Sequence, residues 1–154
     1  MNDNLSTRDQ ILFKYSKVCR DAVLNDAVFD KFKSHPDYQQ VLEHLSKRLG
    51  QEHLKNIQDN NPWLLSVKGI WDNDKYGSPQ LEVYDGLSCS PTTIQYISVL
   101  SNLIRLFGSL KDWSIVEIGG GYGGQCKVIS DVFEFEKYQI IDLFEPAMLQ
   151  MKYL

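Results

Sequence analysis

Glu117, the glycines between Gly119 and Gly124, and Asp142 are the residues whose types and spacing suit ligand chemistry. Glycine has no Cβ, so a run of it allows positive φ and lets a ligand come against the main chain. A helix opening behind such a turn directs free N–H groups and a positive dipole end at the ligand, favouring an anion such as a carboxylate. Asp142 follows about 20 residues on, the separation at which an acid ending the neighbouring strand reaches a ribose. A carboxylate there accepts both ribose hydroxyls in charge-assisted hydrogen bonds. Neither feature is specific alone: glycines serve ordinary turns, and an acid after a strand also serves as a cap.

The flanking sequence supplies the elements that would position these groups. Trp113 to Ile118 is a short β-branched run with the length of a buried strand, and it leads directly into the glycines. A helical pattern follows through Cys126, Val128, Ile129, Val132 and Phe133, and Tyr138 to Ile141 reads as a second strand ending at Asp142. Strand, glycine turn, helix, strand and acid make one βαβ unit with a nucleotide-binding turn.

Upstream, the pattern is helical. Ile11, Tyr15, Val18, Cys19 and Ala22 space an amphipathic helix from Ser6, a good N-cap, to about Asn25. A short helix over 27–33 and a third beginning at Pro36, with Tyr38, Val41, Leu42, Leu45 and Leu49 on one face, complete a helical region over 1–58. Residues 59–90 are dense in turn formers, which excludes long regular structure. Their aromatics Trp63, Trp71, Tyr76 and Tyr84 either anchor this connector or form a substrate-facing loop. Residues 91–154 open with a helix capped by Ser90 and stopped at Gly108, and continue into the βαβ unit. The expected class is α/β: a helical N-terminal region followed by the first βαβ unit of a Rossmann-type sheet.

Two cofactor classes fit the turn. Gly119, Gly121 and Gly124 satisfy the dinucleotide pattern GxGxxG, which leaves an NAD- or FAD-dependent oxidoreductase open. Glu117, Gly119, Gly121 and Gly123 match acid-x-Gly-x-Gly-x-Gly, the first motif of class I methyltransferases, where dinucleotide-binding strands usually carry an apolar residue at the acid.

Several segments resemble a family of bacterial sugar O-methyltransferases: Asn73-Asp74 through Gly77-Ser78-Pro79, Ser90 to Ile97 (SPTTIQYI), Phe107-Gly108, and Ile115 to Cys126 (IVEIGGGYGGQC). Tyr138 to Leu143 (YQIIDL), Leu149-Gln150 and Tyr153-Leu154 continue the likeness, which covers roughly residues 60–154. The resemblance implies methyl transfer from S-adenosylmethionine to a sugar hydroxyl in polysaccharide or glycan biosynthesis, with a sugar or glycan acceptor. It implies that Glu117, Gly119, Gly120, Gly121, Tyr122 and Gly123 hold the cofactor, with Asp142 on the ribose. Thr92, Thr93 and Tyr96 either line the same cavity or form the first turn and buried face of their helix.

No catalytic base or metal site is assignable from the sequence. His44 and His53 would face opposite sides of a continuous helix, at roughly 100° per residue, and Asp72 and Asp74 read as solvated loop carboxylates. Cys19, Cys89 and Cys126 form no metal-ligand spacing and read as reduced, buried thiols. The net charge of −4, with basic residues scattered, argues against a nucleic-acid partner. No apolar run suits a bilayer span and no signal core opens the chain, so the expectation is a cytoplasmic protein.

Leu154 falls within the expected second helix of the fold, and a complete sheet of this class needs several more strands. The chain therefore reads as an incomplete fragment, with the strand 115–118 left with an unpaired edge and poorly covered faces. Weak cofactor binding without turnover is the expectation for it alone; the alternative is a non-catalytic protein that pairs with a chain completing the sheet.

Overall fold

The computed structural model describes residues 6–154, a mixed α/β fold in which helices dominate and the sheets are small. Helix α1 (Thr7–Leu24) begins where Ser6 Oγ accepts the Asp9 amide, and it ends beneath Lys152, whose ammonium caps the Ala22 and Val23 carbonyls. Past Asn25, the segment expected as one helix over 27–33 divides into α2 (Asp26–Phe29) and a 3-10 turn, Phe32–Ser34. The division turns both Phe32 and Lys33 inward, each 0% exposed.

The third expected helix is also interrupted. α3 (Pro36–Gln39) lasts one turn, and α4 (Lys47–Asn60) starts afresh where Ser46 Oγ accepts the Leu49 amide. Glu43, between them, has φ +62°, which no α-helix accommodates. Apolar spacing at Val41, Leu42, Leu45 and Leu49 is thus not one helical face: Leu42 belongs to the packing around the glycine turn.

Residues 62–89 hold two 3-10 helices, Pro62–Ser66 and Lys68–Asp74, and a hairpin of β1 (Glu82–Tyr84) and β2 (Leu87–Cys89). Asp85 (φ +51°) and Gly86 (φ +88°) make its two-residue turn, where both positions need a left-handed backbone. Tyr84 and Trp71 anchor the segment, Tyr84 within the core and Trp71 against it, whereas Trp63 and Tyr76 are each about half exposed. Helix α5 (Pro91–Phe107) then runs from its Ser90 cap to Gly108, whose φ of +75° ends it.

Strands β3 (Ser114–Ile118) and β4 (Lys137–Ile141) pair in parallel, joined through the glycine turn and α6 (Gly124–Ser130). α6 is shorter than the apolar pattern to Phe133 suggests, because Asp131 caps it while pairing with Lys127 at 2.7 Å. α7 (Phe144–Tyr153) follows β4. Among the described residues, β3 pairs only with β4. One face of this pair is open: Val116, Ile118 and Ile141 are 60%, 82% and 51% exposed.

The three segments read from the sequence share their cores. One gathers α4, the 3-10 helices and the hairpin with α5 and α6; the other joins α1 to α3 with Tyr122, Leu149 and Tyr153. The N-terminal helices therefore pack onto the βαβ unit instead of standing beside it. Among the described residues no helix is long and apolar enough to cross a membrane.

Candidate functional site

The parallel register sets Glu117 opposite Ile140 and Ile118 opposite Ile141, so Asp142 leaves the sheet beside the glycine turn. Gly119, Gly121 and Gly123 have φ of +74°, +60° and +92°, conformations that disfavour any residue with a Cβ. Gly119 faces open space. The others do not: a Cβ on Gly121 would stand 2.5 Å from Leu42 Cδ1, and one on Gly120 would stand 2.6 Å from Ile140 Cγ2. Leu154 lies over Gly123, and Tyr96 and Tyr122 over Gly124. Part of the glycine requirement therefore comes from the protein's own packing, and the ligand-facing stretch is the mouth at Gly119.

Asp142 is turned onto the glycine turn itself. Its Oδ2 accepts the Gly121 amide and the Gln150 amide nitrogen, both at 3.0 Å, and its Oδ1 accepts the Leu143 amide at 2.8 Å. A carboxylate offers about four acceptor positions, so the protein occupies most of them. A ribose hydroxyl can take the free position on Oδ1; two hydroxyls together would have to displace a bond such as that from Gln150. Gln150 also donates to the Gly121 carbonyl at 3.0 Å and so braces the turn from α7.

Glu117 lies at the inner edge of the mouth, where its Oε2 accepts the Tyr138 hydroxyl at 3.0 Å. Burial raises its carboxyl above the ordinary range, and the Tyr138 bond partly offsets this. Tyr122, like the glycines at 120, 121, 123 and 124, is buried; it is 0% exposed and stands edge-on to Tyr153 at 4.8 Å between ring centres. Neither its ring nor its backbone is open to a ligand at the turn.

Behind Tyr122 lies a polar network that the sequence did not reveal. Asn73, 0% exposed, donates to Thr93 Oγ1 at 2.7 Å and to the Tyr122 hydroxyl at 3.0 Å. Its carbonyl receives Lys33 Nζ at 2.5 Å and the Tyr153 hydroxyl at 2.8 Å. Asp74 is not a solvated loop carboxylate: it accepts the Ser90 amide and the Thr93 hydroxyl, each at 2.7 Å, and so fastens the start of α5. Asp72 is exposed. Thr93 is thus consumed structurally, Tyr96 packs beside Tyr122, and the Thr92 hydroxyl is buried without a partner.

Lys33 sits with its ammonium 4.0 Å from the centre of the Tyr122 ring and 5.0 Å from that of Tyr153. Burial lowers its pKa to about 8. The histidines are apart: His35 caps α3 through Nδ1, His53 meets Ser98 at 3.3 Å, and His44 is exposed. Lys33 and Gln150 carry no local signal of their roles. Asn73-Asp74 carries one, as a turn-forming pair ahead of the Ser90 cap.

Comparisons with protein-family models, with curated proteins and with solved structures find no match for this chain.

Proposed function

We propose that this chain binds S-adenosylmethionine at the turn of residues 119–123. In this reading it is the cofactor-binding part of a Rossmann-type class I methyltransferase acting on a sugar hydroxyl. The observation that carries the reading is the Asp142 carboxylate, brought by the parallel β3–β4 register onto the Gly121 amide. An acid at the carboxyl end of one strand, beside a glycine turn leaving the next, is the arrangement that holds an adenosine ribose. Glu117 at the mouth favours a ligand with an ammonium group, as S-adenosylmethionine has, over the pyrophosphate of a dinucleotide, which a carboxylate repels.

When bound, the cofactor supplies an electrophilic methyl group. The residues of this chain bind and orient it: the backbone at Gly119 meets the amino-acid end, Glu117 faces its ammonium, and Asp142 Oδ1 accepts a ribose hydroxyl. Such fixing of the methyl donor supplies much of the acceleration in a displacement reaction.

Titration calorimetry with S-adenosylhomocysteine, NAD and FAD tests the reading, with amide NMR to locate binding. The expected result is heat with S-adenosylhomocysteine alone and shifted amides over 118–125 and at Leu143. Asp142→Asn should weaken binding roughly tenfold, the share of one charge-assisted hydrogen bond. Binding of NAD or FAD in its place would transfer the site to an oxidoreductase.

A second reading is favoured by the open face at Val116, Ile118 and Ile141: the chain acts with a further polypeptide laid against β3. Co-expression with a chain that shields these residues from hydrogen exchange in β3 supports it; unchanged exchange excludes it.

A further inference from the structure

Helix α7 is apolar on more than one side. Pro146, Leu149 and Tyr153 are buried, the last two in the core shared with α1. Phe144, Met148 and Met151, spaced i, i+4, i+7, form a second stripe, and this one faces solvent. The charges on the helix are Glu145 and Lys152, and Lys152 is spent on Asp26 and the end of α1. α4 shows the ordinary arrangement, with Lys47, Arg48, Gln51, Glu52, Lys55 and Asp59 turned outward. A helix that is apolar all round is one that is covered all round.

The outward stripe is a ridge between two hollows. Beside α1, a cleft of about 220 Å³ is lined by Arg20, Val23, Leu24, Phe144, Glu145 and Met148. Beside β4, a second of about 290 Å³ is lined by Ile140, Ala147, Gln150, Met151 and Leu154. Leu24, Leu143, Phe144, Met148, Met151 and Leu154 are between 36% and 78% exposed. At about 200 Å² for each such residue fully exposed, they show roughly 700 Å² of apolar surface. That is more than the roughly 300–600 Å² patch of an ordinary monomer, and close to the about 800 Å² that each member of a stable pair contributes.

The patch suits a second copy of the chain. A ridge flanked by hollows fits its own likeness, as helices pack ridges into grooves, and a two-fold contact presents one surface to itself. The charges agree. Arg20 and Glu145 lie together on the cleft beside α1, so the patch carries both signs. Arg20 only approaches Asp21, at 3.8 Å, and Glu145 forms no ion pair among the described residues. An anionic lipid surface would instead favour basic residues alone around such a stripe. We propose that the chain forms a two-fold dimer through antiparallel α7 helices, with Met148 at the axis. Phe144 and Met151 of each copy fill hollows of the other, and each Arg20 faces the partner's Glu145. The dimer covers the helix whose Gln150 braces the glycine turn, and it is independent of which cofactor that turn binds.

Sedimentation velocity on the full chain is the first test. It is run on the wild type and on the Val116→Thr, Ile118→Lys variant, so that association through β3 is told apart. Both should show a dimer whose share grows with concentration. Met148→Glu should weaken it roughly 30-fold or more, as the loss of a central contact does. A monomer at every concentration, or a dimer abolished by the β3 substitutions, overturns the proposal.

The second test asks whether this surface meets its own copy. Arg20→Glu and Glu145→Arg each set like charges across the contact and should weaken the dimer several-fold. Mixed in equal amounts, the two variants should associate again as a heterodimer, because opposite charges then meet at both contacts. Met148→Cys should yield a disulfide-linked dimer on mild oxidation, since the native thiols are buried. A mixture that associates no better than either variant alone, or a Met148→Cys chain that does not cross-link, rules this contact out.

Discussion

The Gly121 amide nitrogen lies 3.0 Å from Asp142 Oδ2, closing the turn after one strand with the acid that ends the next. The same carboxylate receives Gln150 and the Leu143 amide, so it organises the turn. Asp142→Ala should cost about 1–3 kcal/mol, the range for losing hydrogen bonds to a charged group. Urea unfolding checks this, and an unchanged midpoint would remove Asp142 from the architecture of the turn.

Tyr84 is 1% exposed and its hydroxyl has no partner. Tyr84→Phe should therefore stabilise the chain by about 1 kcal/mol, the cost of a buried unpaired hydroxyl. Gly50, against the same ring, behaves oppositely: an added Cβ would stand 2.1 Å from the Tyr84 hydroxyl. Helix propensity favours Gly→Ala by about 1 kcal/mol, but overpacking costs about 1–3 kcal/mol, so Gly50→Ala should lower the denaturation midpoint.

Stability should depend on pH through Lys33. Its folded pKa of about 8 lies below the ordinary 10.5. Between these values the unfolded chain keeps a proton that the folded chain has lost, so the contribution of Lys33 to stability rises with pH in that window. The gain is on the order of 1–3 kcal/mol, and below pH 8 the cost of the buried charge is present in full. Near pH 9 the slope turns over, because burial raises the thiols of Cys19, Cys89 and Cys126 above their ordinary 9.0 and, further up, the hydroxyls of Tyr38 and Tyr122 above their ordinary 10.0, and ionising these groups requires unfolding. Denaturant midpoints measured from pH 7 to 11 should trace this rise and fall, and Lys33→Met should flatten the rise.

The three thiols should be inert while the chain is folded. Burial pushes Cys19 and Cys89 up to about 12 and Cys126 to about 11, so little thiolate exists at neutral pH. An aromatic disulfide reagent should react at least ~100-fold faster after unfolding. Rapid labelling of a native thiol would contradict the packing around it.

The open face of β3 and β4 should drive self-association. Val116, Ile118 and Ile141 are exposed beside the free edge of β3, a combination prone to aggregation. Replacing Val116 and Ile118 with Thr and Lys should reduce dye binding and delay elution on size exclusion. Stability should change by less than about 0.5 kcal/mol, as for other surface positions.

The elements that read correctly from the sequence are those fixed by short-range backbone chemistry. Ser6 and Ser90 cap helices because their hydroxyls reach amides three residues on. Gly108 ends α5 because the stop needs positive φ. The β-branched run at Ile115–Ile118 and the glycines behind it make strand and turn, and Asp142 follows its own strand. Apolar spacing failed between Pro36 and Leu49, where it predicted one helix and packing imposed a break. Periodicity records which residues seek burial, but not which partner buries them: Leu42 meets Gly121, far along the chain.

By itself, then, the sequence determined the capped helices and the strand–glycine–helix–strand unit with its terminal acid, since each depends on neighbours a few residues apart. Only the tertiary structure decided that Tyr122 turns inward, that Lys33 and Asn73 share a buried network, and that Asp142 closes on Gly121. Those relationships join residues from about 20 to almost 90 positions apart, and they arise when separate elements exclude water from a common interior, which no local pattern encodes.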